Sequence, residues 1–313
     1  MQPKNITQTH QDISVARLSS YKSMFVGTDD QELYGVYCWN EALSAALFRL
    51  IAITEVVMRN RFHSALSQAL YSPSASIGTT HSNDWYNQVT LPPKSADKIK
   101  QQTHYRKNGN YILRPRQPTP NDVVSKMTFG FWPKLLDAPL SWENLVPAIV
   151  RGHRHQSANY WKKQKHLDAF YARLDLVNRL RNRIAHFEPV WKQANMLEER
   201  RQRAGYQPKV ELSAPSTPMQ AIGMLQLKHE RATELLRWLS PSRFTDYERS
   251  YVLAHFEWLC SPEGLDAYRD FKPGQTLPIT RFKRDLNSLC RAKTKVTVTR
   301  KKVGVGTYYP VIN

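Results

Sequence analysis

Leu176-Val177-Asn178-Arg179-Leu180-Arg181-Asn182-Arg183-Ile184-Ala185-His186-Phe187-Glu188-Pro189 is the stretch on which the reading of this 313-residue chain turns. Leu176, Leu180 and Ile184 recur at helical spacing with Asp175 just ahead of them, so the segment reads as an amphipathic helix that Pro189 cannot prolong. Phe170, Leu174 and Val177 extend the apolar face upstream and predict a core helix over 167–185. Its polar cargo is unusual: three arginines fall within five residues, Asn182 adjoins Arg181, and His186 follows. A guanidinium stays charged and matches phosphate oxygens with a planar fork, while an imidazole can take or give a proton near neutrality. Together these are the parts of a phosphodiester-cleaving site that needs no metal.

Geometry sets a condition on such a site. The step from Arg181 to His186 turns an ideal helix by about 500°, or about 140° past a full turn, so the two side chains cannot project in parallel from one straight face. Either the helix ends or bends before Pro189, or a second copy of the motif faces the first.

Arg181-Asn182 followed by His186 resembles the arginine-to-histidine signature of the HEPN superfamily (higher eukaryote and prokaryote nucleotide-binding domains), and the longer string 180–189 is similar to its abortive-infection D/F-like branch. Arg249 and His255 share the bare spacing without the flanking Asn or Glu-Pro, a coincidence of composition. Three further strings carry the resemblance: Glu55-Val56-Val57-Met58-Arg59-Asn60, Phe129-Gly130-Phe131-Trp132 and Leu235-Leu236-Arg237-Trp238-Leu239-Ser240-Pro241.

What the resemblance implies is an all-α, HEPN-like helical bundle that pairs as a two-fold homodimer through its motif helices. The implied activity is endoribonucleolytic and leaves a 2′,3′-cyclic phosphate and a 5′-OH, without metal or other cofactor. His186 is the expected general acid/base, Arg181 the stabiliser of phosphoryl charge, and Asn182 the positioning group, with Arg183 and Glu188 in support. Glu55, with Arg59 and Asn60, is expected to orient the site's arginines; an ordinary intrahelical Glu55–Arg59 salt bridge is the alternative. The context implied is phage defence, with a structured noncoding RNA as a regulatory partner. Glu188 stands where some relatives carry a modifiable Tyr, and Phe187 where many carry a second His, leaving proton transfer to His186 alone.

Composition agrees with a polyanionic partner. The chain has 45 Lys+Arg against 26 Asp+Glu, a net charge of +19, which favours nucleic acid over a membrane surface. The N-terminus lacks the apolar core of a signal peptide, and the most apolar run, 42–58, is interrupted by Arg49 and Glu55, so a soluble cytoplasmic protein is expected. Cys38, Cys260 and Cys290 form no C-x-x-C pair and indicate neither disulfide nor zinc.

Along the chain, helices are expected over 13–25, 33–70, from a Thr119 cap with Pro120 at the first position, from a Thr217-Pro218 cap, and over 245–260. Residues 72–95, rich in Ser, Thr and Pro, read as a loop, and the aromatics at 129–132 as packing around a helix junction. Segment 94–118 holds seven basic residues against Asp97 alone. Lys98, Lys100, Arg106, Lys107, Arg114 and Arg116, interleaved with Tyr105, make it either an RNA-contact surface or a solvated basic one. Arg151, Arg154, Lys162 and Lys163 surround His153, His155 and His166 with no nearby acid in sequence, which favours phosphate over metal. Residues 198–203 suggest a charged helical piece inside a loop over 190–217. The tail, 271–313, carries ten basic residues against Asp285. Around Arg300, Lys301 and Lys302 β-branched and basic residues alternate, suggesting a short β-hairpin in an RNA-binding arm, with a disordered basic terminus as the alternative.

The reading is thus a helical domain over 1–270, with a basic insertion at about 72–118 and a charged loop at about 190–217, followed by a basic arm over 271–313. The rival is a non-catalytic RNA-binding protein forming a ribonucleoprotein with a cognate small RNA. A DNA-binding regulator would need a compact helix-turn-helix, which the sequence lacks.

Overall fold

A computed structural model describes residues 3–270 and 274–310. Helices dominate. The helix expected over 13–25 is α2 (Val15–Met24), and an unexpected α1 (Ile6–Ile13) precedes it, parted from it at Ser14 with φ +88°. The Ser14 hydroxyl accepts from Arg17 N and starts the second. α3 (Asp30–Leu70) has 41 residues, begun by a capping box between Asp29 and Glu32, and is about 60 Å long at the usual rise. It is the spine of the molecule: Leu33 to Leu47 sink into one core and Leu50 to Leu66 into another.

The 72–95 segment is more structured than a loop. It pairs β1 (Gly78–Thr79) with β2 (Ser82–Asn83) and turns through a 3-10 helix, Trp85–Asn87, whose Trp85 is fully buried and donates to His63 Nδ1 at 2.9 Å. α4 (Pro93–Thr103) leads into a hairpin, β3 (His104–Lys107) with β4 (Asn110–Leu113), across Asn108-Gly109, both at positive φ. That is the two-residue turn an Asn-Gly pair favours. α5 (Pro120–Ser125) starts at the Thr119 cap, and short α6 (Phe131–Leu135), α7 (Trp142–Ile149) and α8 (Ala158–Trp161) follow. Phe129, Phe131 and Trp132 are buried, so these aromatics pack the core.

The motif helix is α9 (Gln164–Ala185). After it, β5 (Met196–Leu197) pairs with β6 (Val210–Leu212), and no helix forms over 198–203. The charges there are spent on distant partners: Glu199 on Arg173, Arg201 on Asp137 and Arg203 on Asp168. α10 (Pro218–Leu239) starts at the Thr217 cap. The helix expected over 245–260 is divided between α11 (Pro241–Glu248) and α12 (Tyr251–Leu259), with α13 (Pro262–Arg269) beyond. α13 crosses α3 at Gly35, where a Cβ would lie 2.3 Å from the Tyr268 carbonyl oxygen.

Phe271 and Lys272 lie outside the described residues. Over its described residues, 274–310, the tail is folded: β7 (Gln275–Pro278), α14 (Ile279–Arg284), α15 (Leu286–Arg291), β8 (Val296–Arg300) and β9 (Val303–Tyr308). β8 pairs in parallel with β7 and antiparallel with β9, over a small core of Leu277, Leu289, Val296 and Val298.

Candidate functional site

α9 buries Phe170, Leu174, Val177 and Leu180 in the core that also takes the upper half of α3. Ile184 touches both large cores, and Val190 and Trp191, just past the turn, are buried in the second. The motif therefore sits at the seam between two packed bodies.

The helix ends at Ala185 with a well-formed stop. His186 N–H donates to Asn182 O at 2.9 Å, Phe187 N–H to Ile184 O at 3.0 Å and Glu188 N–H to Arg183 O at 2.8 Å. This crossed pattern needs a left-handed residue, here Phe187 at φ +54°. Three contacts hold the turn: Arg17 donates to Phe187 O, Arg183 to Pro189 O at 3.2 Å, and Val190 N–H to the buried Asn40 Oδ1 at 2.8 Å. Arg183 also pairs with Glu188 at 3.3 Å, so both are committed to the turn itself.

Asp175, Arg179, Asn182 and His186 follow one another at three- and four-residue steps and line a cleft of about 560 Å³. Its other walls are residues 193–202 with Lys228 and Arg231 of α10. Asn182 and His186 are exposed. Arg181 does not line this cleft. It lies on the adjoining flank, 30% exposed, with Nε 3.8 Å from Glu55 Oε2. Glu55 in turn lies 3.7 Å from Arg59, so the Glu55 carboxylate bridges both arginines, more than an intrahelical pair. Asn60 is exposed one residue on. Lys98 shares the Arg181 flank; burial, then Lys134 and Arg181, lower its proton affinity, and it donates to Thr128 Oγ1 at 2.7 Å.

The other candidate RNA contacts are scattered. Lys100 is exposed on α4, Tyr105, Arg106 and Lys107 stand on β3, and the Arg106 guanidinium covers Tyr111 at 5.0 Å. Arg114 donates to Gln102 O at 2.9 Å, and Arg116 is exposed. Arg151, Arg154, Lys162 and Lys163 are exposed around Tyr160, which is sandwiched between His155 at 3.9 Å and His166 at 3.6 Å. His155 and His166 are thus stacked on one ring while His153 meets its aromatic neighbours tilted or edge-on, and no cluster of His, Cys, Asp or Glu among the described residues could hold a metal ion. Arg300, Lys301 and Lys302 occupy the exposed β8–β9 turn.

Sequence reasoning missed Lys228, whose ammonium donates to Gln193 Oε1 at 2.5 Å. Burial, followed by Arg183, Arg179 and Arg231, pushes its pKa down to about 8. It also missed Arg173, which ties α9 to Glu199 and, at 2.6 Å, to Glu234 of α10. Neither carries a local signal, since every partner comes from another element.

Fold and site together define a mostly helical protein whose motif helix opens Asn182 and His186 onto a cationic cleft with Arg181 on the adjoining flank, and no described helix is long and apolar enough to cross a membrane. Residues 9–192 match the model of the Abi-like protein family, and the chain belongs to that family. Membership suggests a function in abortive infection. No curated protein and no solved structure matches the chain. The match holds Glu55, Arg59, Arg181, Asn182 and His186 and stops before Lys228.

Proposed function

We propose that this chain is a metal-independent HEPN endoribonuclease acting in the cytoplasm in phage defence, and that its site is completed by a second copy. The observation that carries the reading is the placement of the motif: His186 and Asn182 open onto a cationic cleft while Arg181, fixed by Glu55, lies on the adjoining flank. Ending the helix at Ala185 does not bring Arg181 into that cleft, so two copies meeting about a two-fold axis at the α9 ends would pair the Arg181 of each with the His186 of the other. In that arrangement His186 takes the 2′-OH proton or protonates the departing 5′-oxygen, the 2′-oxygen attacks phosphorus, and the P–O5′ bond breaks. Arg181 neutralises the charge gathering on the phosphoryl oxygens and Asn182 positions the phosphate. Histidine and arginine thus divide the tasks of proton transfer and charge neutralisation.

End-labelled RNA incubated with the protein in EDTA tests this. Cleavage to 2′,3′-cyclic phosphate ends is expected, lost in Arg181→Ala and in His186→Ala. Mixing the two inactive variants should restore activity, because each hybrid pair contains one intact Arg181–His186 combination. Cleavage unchanged by His186→Ala would end the proposal. The folded basic tail and the stacked His-Tyr-His surface stand apart from the residues lining the cleft and favour a second reading, a ribonucleoprotein that holds a structured noncoding RNA. RNA retained alike by the wild type and by His186→Ala, with cleavage by neither, would select it.

A further inference from the structure

The cleft beside His186 has a second wall, and one cation on that wall lacks a counter-charge. α10 packs on α9 and presents Lys228 and Arg231 to the cleft. The guanidinium groups nearby have carboxylates: Arg179 pairs with Asp175 at 2.7 Å, Arg183 with Glu188 at 3.3 Å and Arg231 with Glu211 at 2.8 Å. Among the described residues no carboxylate pairs with Lys228; its one hydrogen bond is to the Gln193 amide oxygen, and three arginines repel it. A partly desolvated ammonium in such company is destabilised until an anion arrives. The arriving anion would meet the ammonium on one side and His186 and Asn182, exposed on α9, on the other. The cleft also has room for a phosphate with the sugar on either side, at about 560 Å³.

We propose that Lys228 is a phosphate ligand of the cleavage site, holding a non-bridging oxygen of an RNA phosphodiester from α10 while His186 and Asn182 approach it from α9. The assignment rests on the ribonuclease reading for its consequence in catalysis, but the anion site is testable without turnover. Binding would exchange the Gln193 amide for a charged partner and relieve the repulsion among the four cations. The guanidinium groups of Arg179, Arg183 and Arg231 stay on their own carboxylates, which leaves the ammonium as the uncommitted donor among these four cations.

Reductive methylation of the full-length protein at near-neutral pH, read by peptide mass spectrometry, reports Lys228 directly, because a lysine titrating near 8 reacts ahead of ordinary lysines. A mixed-sequence oligoribonucleotide with 2′-O-methyl riboses binds but cannot cyclise, and it should protect Lys228 from methylation. With unmodified RNA at saturation, Lys228→Met should slow single-turnover cleavage by about tenfold or more while changing affinity for the methylated oligonucleotide by less than about threefold. Lys228→Arg, which keeps the charge, should recover most of the rate, and circular dichroism should show both variants folded. Wild-type cleavage rates in Lys228→Met, or an unprotected Lys228, would overturn the assignment and leave the nuclease standing if His186→Ala is inactive. Protection of Lys228 in a wild-type protein that cleaves no RNA would overturn the nuclease and leave the phosphate site.

Discussion

Arg173 is the residue on which the cleft's architecture leans most. Its side chain is 6% exposed, forks onto Glu199, reaches Glu234 and lies 4.5 Å from the Trp238 ring centre. Burial alone would lower its proton affinity, but Glu199 and Glu234 outweigh that and raise it. Replacing it with Met takes the main partner from two carboxylates, leaving Glu199 to Arg231 at 3.8 Å and Glu234 to Arg237 at 3.3 Å, so Arg173→Met should cost about 1–3 kcal/mol in urea unfolding, with Arg173→Lys falling between because it cannot fork. Phe187 makes the opposite case. It is 78% exposed yet holds the left-handed position that stops α9. Little burial is lost on removing the ring, so Phe187→Gly should hold stability or raise it by up to about 1 kcal/mol. A marked destabilisation would mean that the ring has a packing role. The two residues also mark what is legible locally. Arg181, Asn182 and His186 stand out in the sequence because the pattern is contiguous. Arg173 and Lys228 do not, because their meaning is created by residues 26 to 61 positions away for Arg173 and 35 positions away for Lys228.

Among elements, α10 is joined to α11 and α12 through one histidine. His229 stacks on Phe256 at 3.9 Å and shares a 2.7 Å hydrogen bond with the Tyr247 hydroxyl, and burial pushes its pKa down to about 3. The folded chain therefore refuses a proton that the unfolded chain accepts near pH 6.5. Acid then favours unfolding, by about 1.4 kcal/mol per pH unit between pH 6.5 and 3 from this residue. His229→Gln should flatten the slope of stability against pH in that window by about one proton, measured by urea titration at a series of pH values. Periodicity made the long elements readable: α3 and α10 recur in threes and fours, and α10 begins at the Thr217 cap that the sequence spells out. The helix expected over 198–203 failed because its charges serve tertiary ion pairs, and a charge-rich string looks the same in either use. The breaks at Ser14 and at Arg249-Ser250 have no Pro or Gly to announce them. Asn108-Gly109, by contrast, spells the β3–β4 turn openly within a segment that composition alone describes only as basic.

At the scale of the whole molecule the excess of +19 is not evenly spent. The arginines around α9 are largely balanced by Asp175, Glu188, Glu199, Glu211 and Glu234. The β8–β9 turn is not, and it is built at a conformational cost: Lys301 and Lys302 both sit at positive φ, at 50° and 67°, where Asn-Gly would be at ease. A turn of two strained, exposed lysines next to Arg300 is better explained by what it contacts than by how it folds. Exchanging the pair for Asn-Gly should therefore separate the two properties. Stability should rise by about 1–2 kcal/mol, since two left-handed lysines are relieved. RNA affinity should fall, and if both lysines touch phosphates the slope of log affinity against log salt should become shallower by about 1.4 for a single strand. A Gln-Gln exchange, which removes charge without relieving the backbone, should reproduce the change in slope but not the gain in stability. If the slope stays as in the wild type for both variants, the tail meets no phosphate at this turn, and its basic surface serves some other contact than RNA.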